Sequence, residues 1–249
     1  MKIVAWNIRA GGGTRMPGIA DSIQQWQPDI VALSEFRGTP ASVELARRLA
    51  RDAGLRHQRH TTSATELAKN ALLVASRWPL RVVRHPARPA IAERWLHVRV
   101  AAPQPFALMA VHVPNRVSGL KYPFLDAVAR IAREWDTGID GLPALIVGDT
   151  NSGCINIDEE SPAFNTTEDQ WLRNMNHFGW RDGFRFQRPL RREYTWYSPN
   201  GRNGFRLDQA FINQRLIGQL KRVRHVWAGA VPERREVLSD HASLVIDFD

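Results

Sequence analysis

Polar side chains that can bind cations or move protons stand at the ends of short apolar runs along this chain. They are Asn7, Glu35, His112, Asp149, Asn151, Asp208, Asp240 and His241. Each has an ordinary structural explanation, such as an Asx turn, a cap or a hydrogen-bonded core histidine. Together they would place costly polar groups along one edge of the core, which proteins tolerate when such groups pair with one another or bind a cation. The pattern predicts a functional site at the strand ends.

The apolar runs themselves predict the strands that must position these groups. Short β-branched segments predict strands at residues 2–8, 29–33, 71–75, 95–100, 106–113, 144–147, 207–212 and 242–248. Helical spacing predicts helices at residues 18–26, 41–53, 122–135 and 167–178, with Gly54, Gly138 and Gly179 as helix stops.

The connections between these elements indicate the fold class. The link between the strands at 95–100 and 106–113 is too short for a helical crossover, so this pair is predicted to be antiparallel. Apolar strands combined with helices of one-sided polarity predict an α/β protein with two stacked mixed sheets flanked by helices, a four-layer αββα sandwich. Without internal repeats or low-complexity linkers, residues 1–249 are expected to form a single domain.

Composition narrows the class of partner. The 34 Lys and Arg residues exceed the 25 Asp and Glu residues and give a net charge of +9, which favours a polyanion such as DNA. Cys154 is the single cysteine, which excludes an internal disulfide and a thiolate zinc site and favours a cytoplasmic location. We expect no membrane span and no secretory signal. The sequence shows no partner helix or coiled-coil seam, so we expect a monomer without a protein partner.

Eight short motifs then occur in a recognisable order. They are WN at 6–7, LSE at 33–35, ASRWPL at 75–80, HVPN at 112–115, GDTN at 148–151, YTW at 194–196, RLD at 206–208 and SDHA at 239–242. In this order they resemble the endonuclease/exonuclease/phosphatase superfamily, with the stretch from YTW to RLD most similar to exonuclease III-type apurinic/apyrimidinic endonucleases. The resemblance implies a four-layer sandwich and a divalent-metal-dependent phosphoester hydrolase.

The resemblance also implies a metal site. By motif position, Glu35 binds the metal, with Asn7 as a direct or outer ligand and Asp240 as a further contributor. An oxygen ligand of this kind suits Mg²⁺, which keeps several waters and uses few carboxylates, and Mn²⁺ is a possible substitute.

Five residues are implied as catalytic groups, and the fifth, His112, is a further donor to a phosphate oxygen. Asp149 would orient or deprotonate the attacking water, and Asn151 would donate to a phosphate oxygen. His241 would contact the developing phosphorane charge, while Asp208 would hold its imidazole and raise its pKa. The sequence leaves open whether water activation belongs to Asp149 or to the Asp208–His241 pair.

Further positions are implied to bind substrate. Trp196, Phe205 and Leu207 match the pocket that accepts a base-free sugar in abasic endonucleases. An apolar slot of this size suits a flipped-out abasic deoxyribose and excludes an intact base. Asn115 resembles a phosphate-contacting amide, and Arg37 matches a position that is basic in several DNA-cutting relatives.

His112 departs from the abasic-endonuclease pattern, which usually has tyrosine before VPN. Histidine at this point is found in secreted-DNase, sphingomyelinase and phosphatase branches, and it makes hydrogen-bond donation to phosphate depend on pH near neutrality. The acidic residues Asp158, Glu159 and Glu160 follow GDTN, and they either restrict duplex access or lie outside the site.

The sequence thus supports several functions. The leading interpretation is a Mg²⁺-dependent DNA phosphodiesterase with abasic-site endonuclease or 3′-exonuclease activity, because arginine-rich stretches at 76–99 and 181–206 supply candidate phosphate contacts. The alternatives are a DNase I-like endonuclease, or a phosphatase or phosphodiesterase that acts on a small phosphoester or a phospholipid head group. A catalytically inactive nucleic-acid-binding protein is a further alternative, but it is expected to lack the carboxylates that are present here.

Overall fold

Apolar strands pair into two six-stranded mixed sheets in the computed structural model, which describes residues 1–135, 141–231 and 235–249. The first sheet contains, in spatial order, β13 (Leu220–Val226), β14 (Ser243–Phe248), β1 (Lys2–Asn7), β2 (Ile30–Phe36), β4 (Ala71–Ser76) and β3 (His57–His60). The second contains β5 (Leu80–Val82), β6 (Trp95–Val100), β7 (Phe106–His112), β8 (Ala144–Asp149), β12 (Asp208–Ile212) and β9 (Arg181–Asp182). A separate ribbon pairs β10 (Trp196–Tyr197) with β11 (Gly204–Phe205).

Helices cover the outer face of each sheet, and two short ones contribute to the core between the sheets. The helices are α1 (Met16–Trp26), α2 (Pro40–Asp52), α3 (Lys121–Glu134), α4 (Thr166–His177), α5 (Gly183–Gln187) and α6 (Gln214–Ile217). Ile19 and Leu45 of α1 and α2 pack in one cluster with Trp6 of the first sheet. On the other side, Trp171 of α4 makes an edge contact with Phe211 of the second sheet, with ring centroids 5.3 Å apart. The predicted four-layer αββα sandwich is confirmed.

The central core lies between the two sheets and follows the two-residue period of the strands. Ile3 and Ala5 of β1 pack in the same buried cluster as Leu108 and Ala110 of β7. The intervening residues of each strand face the helices, as Val4 does. Because side chains alternate faces along a strand, the next inward position of each strand falls at the edge of this core.

Each sheet contains one parallel pair, β1 with β2 and β7 with β8. In the pair of β7 with β8, the two backbones approach closely at Gly148, whose φ is 141°. A Cβ on Gly148 would lie 2.0 Å from the carbonyl oxygen of Val111, so only glycine fits this position. The predicted antiparallel pairing of β6 with β7 is confirmed.

The predicted elements agree with the observed ones to within a few residues, and the differences have physical causes. Gly54 and Gly179 follow helices with φ of 73° and 85°, while Gly138 lies outside the described residues. Strand β13 was not predicted from the sequence, because four of its seven residues are Lys, Arg or His and only Val223 is buried. The other elements that were not predicted, β3, β5, β9, β10, β11, α5 and α6, have at most five residues and are too short to show a periodic pattern. In the described parts of the chain, none of the helices has both the length and the apolar character required to cross a bilayer.

Candidate active site

Four buried polar residues continue the inward-facing rows of the core by one further step. Asn7 follows Ile3 and Ala5 on β1, and His112, Asp149 and Asp208 occupy the equivalent inward positions of the second sheet. Their exposed fractions are only 1%, 4%, 2% and 2%, respectively. The register pairs Asp149 with His112 on one side and with Asp208 on the other, so the three side chains form a row across the sheet.

Asp149 lies at the centre of the cluster. Asn7 Nδ2 donates a hydrogen bond to Asp149 Oδ2 over 3.0 Å and so links the two sheets. The same oxygen lies 3.7 Å from His112 Nε2 and 3.8 Å from His241 Nε2. The backbone N–H of Asn151 donates to the other oxygen, Oδ1, over 3.0 Å. The structure thus places these predicted site residues next to one another.

Glu35 reaches the cluster through a local backbone irregularity. By strand alternation it would face the helices, since Val31 and Leu33 do. The register of β2 shifts between Ser34 and Phe36, and Glu35 has a φ of 55°. This bulge turns the side chain toward the site. Its two oxygens accept hydrogen bonds from Asn7 Nδ2 at 3.4 Å and from the backbone N–H of Ala10 at 2.7 Å.

His241 and Asp208 form a buried pair. His241 Nδ1 donates to Asp208 Oδ2 over 2.9 Å. The backbone around His241 is also held in place, because Trp6 Nε1 donates to its carbonyl oxygen over 3.0 Å. Ser239 Oγ donates to the carbonyl of Asn7 over 2.6 Å and accepts from the His241 N–H over 3.2 Å. Trp6 and Ser239 were not predicted as supporting residues, although both stand within the quoted motifs.

The two histidines have opposite electrostatic environments. Burial alone would lower the pKa of His241, but the carboxylates of Asp208 and Asp149 outweigh it and raise the pKa to about 10. Burial, the Arg94 guanidinium and His241 together lower the pKa of His112 well below its usual 6.5. His241 is therefore cationic and His112 neutral at pH 7, so the predicted pH dependence of His112 near neutrality is wrong. Burial also raises the pKa of Asp149, to about 6.

Asn151 is held by contacts that sequence reasoning missed. Its Nδ2 donates to the carbonyl of Val113 over 2.8 Å, and its backbone has a φ of 47°. The ammonium group of Lys121 donates to the Asn151 carbonyl and pairs with Glu168, and both of these charged side chains are buried. No motif distinguished Lys121 or Glu168 from ordinary surface residues of α3 and α4.

The chemistry of the donor set suits a hard divalent cation. Among residues 1–135, 141–231 and 235–249, no preassembled group of three or more His, Cys, Asp or Glu ligands is present. Glu35 and Asn7 nevertheless meet through a hydrogen bond, and Mg²⁺ binds through one or two carboxylates while it keeps most of its waters. Asp240 stands at the margin, with Oδ2 4.0 Å from Arg9 Nε. These oxygen donors fit the implied metal.

The predicted substrate-binding residues do not form one cluster in the structure, and each has contacts of its own. Trp196 lies beside His241, with ring centroids 6.3 Å apart, and its ring also contacts Phe205 at 5.8 Å. Leu207 is buried, with 6% of its surface exposed. Asn115 Oδ1 caps a short turn by accepting from the Ser118 N–H. Arg37 Nε donates to Asn70 Oδ1 over 2.7 Å.

Arg94 is the arginine of the 76–99 stretch that approaches the site. The register that pairs Trp95 with Val111 brings Arg94 beside His112 and so extends the row of site residues. Burial lowers the pKa of Arg94, but the carboxylates of Asp149 and Glu35 act on its guanidinium in the opposite sense. The cation therefore lies in the field of the site carboxylates.

The acidic segment after GDTN folds inward. Asp158 accepts hydrogen bonds from Nε and Nη2 of the buried Arg206 over 2.7 and 2.9 Å, and it also pairs with Arg185. Glu159 accepts from the backbone N–H groups of Ala163 and Phe164, each over 2.6 Å. These two carboxylates stabilise the segment internally, whereas Glu160 is exposed and lines the cleft beside Trp196.

Two stacked mixed sheets that end in such a polar cluster define the class of four-layer sandwich nucleases and phosphatases. The family described as Endonuclease/Exonuclease/phosphatase matches residues 4–241, and the chain belongs to this family. The family predicted from the sequence motifs is thus confirmed. A sequence search among curated proteins found no significant match.

Three solved structures are similar to the chain over its full length. One is the 3′ phosphatase NExo from Neisseria bound to product DNA hairpin, with 22% identity, 100% and 99% coverage of the two chains and a TM-score of 0.79. The 3′-5′ exonuclease NExo from Neisseria meningitidis has 22% identity, 100% coverage of both chains and a TM-score of 0.79. An AP endonuclease from Archaeoglobus fulgidus has 19% identity, 100% and 99% coverage and a TM-score of 0.80. At these identities the similarity shows the fold.

Proposed function

We propose that this protein is a divalent-metal-dependent phosphodiester hydrolase that acts on DNA, as an abasic-site endonuclease or a 3′-exonuclease. The observation that carries the proposal is the position of Asp149 Oδ2, 3.0 Å from Asn7 Nδ2 and within 3.8 Å of the imidazole nitrogens of His112 and His241. The two histidine separations are longer than hydrogen bonds, so a water or phosphate oxygen is suited to bridge these groups.

In this proposal Asp149 is the general base. A water oxygen attacks phosphorus while Asp149 accepts the proton, and the P–O bond to the departing oxygen breaks. A pKa of about 6 leaves this carboxylate ionised at neutral pH yet still basic enough to take a proton. Because His241 already carries its second proton, we assign water activation to Asp149 rather than to the Asp208–His241 pair.

The histidines and amides bind the phosphoryl group. His241, oriented by Asp208, presents a cationic N–H donor to the charge that develops on the phosphoryl oxygens. Neutral His112 is proposed to donate to a second oxygen, and Asn151 and Asn115 are proposed to hold the strand. Glu35, with Asn7 and Asp240, would hold a divalent cation, which would supply positive charge to the transition state. We propose Mg²⁺ in this role, with Mn²⁺ as a substitute.

DNA is the proposed polymer because the chain carries a net charge of +9 and Arg94 approaches the site. The Neisseria and Archaeoglobus structures, whose descriptions name a DNA hairpin, an exonuclease and an AP endonuclease, support the same choice. We also propose a cytoplasmic location, since Cys154 is the single cysteine of the sequence, and a monomer, since the sequence shows no partner helix or coiled-coil seam.

A substrate panel tests the proposed function. The purified protein is incubated with intact, nicked and abasic duplexes, a duplex with a 3′ overhang and a soluble phosphomonoester, each with Mg²⁺ and with EDTA. We expect Mg²⁺-dependent cleavage of DNA that EDTA abolishes and that Asp149→Asn or His241→Ala lowers by orders of magnitude. Cleavage of the monoester alone would overturn the nuclease assignment. DNA binding without turnover of any substrate would instead indicate a catalytically inactive binding protein.

A further inference from the structure

A cleft of about 980 Å³ opens beside Trp196, next to the catalytic cluster. Asp240 also lines this cleft, and the backbones of Trp196 and His241 meet in an isolated β-bridge. A group bound here would therefore be a direct neighbour of a phosphate at Asp149. The proposed catalytic roles do not account for most of this space.

Planar side chains form one wall of the cleft. The rings of Tyr197 and Trp227 lie 6.1 Å apart at their centroids, and the guanidinium carbon of Arg235 lies 4.1 Å above the Tyr197 ring and 5.5 Å from the Trp227 ring. Both rings are only partly buried. Planar side chains that hold one another in this way form a rigid stacking surface before any ligand arrives.

The charge on the cleft walls indicates what stacks there. Among the described lining residues, three arginines balance three acidic side chains, so these residues together contribute no net charge to attract the phosphate backbone. A planar ligand without a full charge fits this environment best. Nucleobases have this character, and aromatic rings bind unpaired bases irrespective of sequence.

The size of the cleft distinguishes between the two proposed DNA activities. A base-free sugar requires a small closed slot, whereas 980 Å³ is near the upper limit of about 1,000 Å³ for ligand pockets. We propose that the surface formed by Tyr197, Trp227 and Arg235 is a stacking subsite for an unpaired, base-bearing nucleotide of a DNA strand. This inference rests on the proposed function and selects an unpaired 3′ end over an abasic site as the substrate.

A binding experiment without metal tests the subsite separately from catalysis. Fluorescence anisotropy in EDTA measures the affinity of the full chain for a labelled duplex with four thymines as a 3′ overhang. The same duplex with four base-free tetrahydrofuran residues in the overhang is the comparison. We expect the base-bearing overhang to bind roughly tenfold more tightly. Equal affinities would overturn the inference.

Matched tryptophan variants locate the effect. Trp227→Ala is expected to abolish the preference for the base-bearing overhang and to leave the base-free affinity unchanged, whereas Trp227→Phe is expected to keep the preference. Trp78→Ala is the control, because Trp78 lies beside Met1 and Asp249 at the opposite end of the sandwich. A Trp227→Ala variant that keeps the full preference would refute the subsite.

Photocrosslinking of the wild-type chain provides a measurement that does not depend on a variant that folds. A 5-iodouracil in the overhang is irradiated in EDTA, and the attachment sites are mapped. Crosslinks to Tyr197 or Trp227 support the subsite, and crosslinks only elsewhere overturn it. Base preference without DNA cleavage in Mg²⁺ would remove the proposed function but keep the subsite. DNA cleavage without base preference would remove the subsite but keep the proposed function.

Discussion

The carboxylate of Glu35 reaches the amide of Asn7, at 3.4 Å, through a left-handed backbone at Glu35 itself, whose φ is 55°. A strand that stayed regular would have directed this side chain into the helix layer. Backbone strain of this kind costs about 1–3 kcal/mol and persists only where the surroundings enforce it, commonly at functional sites.

Glu35→Gln tests the proposed metal ligand. The amide keeps the shape of the side chain but removes its negative charge, so we expect the Mg²⁺ concentration at half-maximal rate to rise at least roughly tenfold. The measurement is the cleavage rate against Mg²⁺ concentration. Glu44→Gln, on the exposed face of α2, is the matched control and is expected to follow the wild type. An unchanged Mg²⁺ dependence in Glu35→Gln would exclude Glu35 as a ligand.

Asp208→Asn tests the pair that Asp208 forms with His241. The carboxylate is a main cause of the raised His241 pKa, so without it burial would favour the neutral imidazole. We expect kcat to fall roughly 10²- to 10⁴-fold. The free energy of unfolding is expected to change far less than the activation free energy of the reaction. Asp247→Asn, which removes a partly exposed partner of Arg224, provides a control of the same type. A kcat within a factor of a few of the wild type would contradict the proposed role.

Arg94→Gln tests whether the cation beside His112 contributes to phosphate binding. We expect kcat/KM to fall roughly 10- to 100-fold, because a charge-assisted hydrogen bond to phosphate is lost. Arg88→Gln removes an exposed arginine from the same segment and should have little effect. Steady-state kinetics at two salt concentrations measure both variants. Equal losses of kcat/KM in Arg94→Gln and Arg88→Gln would indicate a general charge effect instead of a specific contact.

Gly148→Ala tests the close approach of β7 and β8. The new methyl group would lie 2.0 Å from the Val111 carbonyl oxygen, so we expect a loss of more than about 3 kcal/mol in the free energy of unfolding. Gly54→Ala is the control, since Gly54 also has a positive φ but has no atom within 4 Å of the added carbon. Urea unfolding followed by circular dichroism measures both. Equal losses would show that backbone strain, not the contact, limits this position.

Asp158→Asn tests the buried ion pair with Arg206. Burial alone would raise the pKa of Asp158, but Arg206 and Arg185 outweigh it and hold the pKa below its ordinary 3.8. The ionised carboxylate therefore contributes stability that is present above the unfolded pKa and is lost as the pH falls through the lower folded pKa. At pH 7 we expect Asp158→Asn to lose about 3–5 kcal/mol, because Arg206 is left buried without its main partner.

The pH dependence of unfolding checks this assignment. The difference in unfolding free energy between the wild type and Asp158→Asn should be constant near neutrality and should shrink below pH 3.8. The exposed Asp126 supplies the control variant Asp126→Asn, which should follow the wild type at every pH. A difference that grows on acidification would reverse the predicted sign and refute the proposed coupling.

The sequence allowed accurate prediction where period and residue type carry the information. Apolar alternation before Asn7 and Asp149 predicted strands that end at polar residues, and those strands meet as expected. The turn at Glu35 was not predictable, because it depends on a register shift against β4. The buried ion pair of Arg206 with Asp158 was equally unpredictable, because nothing in the sequence distinguishes Arg206 from the many other arginines of the chain.

The strand β14 pairs with β1, and His241 immediately precedes β14, so the first and last parts of the fold must meet before the site exists. During translation, a chain still attached to the ribosome before residue 241 has been added contains Asp149 and Glu35 but no His241. Under the proposed mechanism, such a chain has no cationic imidazole to stabilise charge on the phosphoryl oxygens until its last residues are added. A proteolytic fragment that ends before residue 241 would lack the same imidazole.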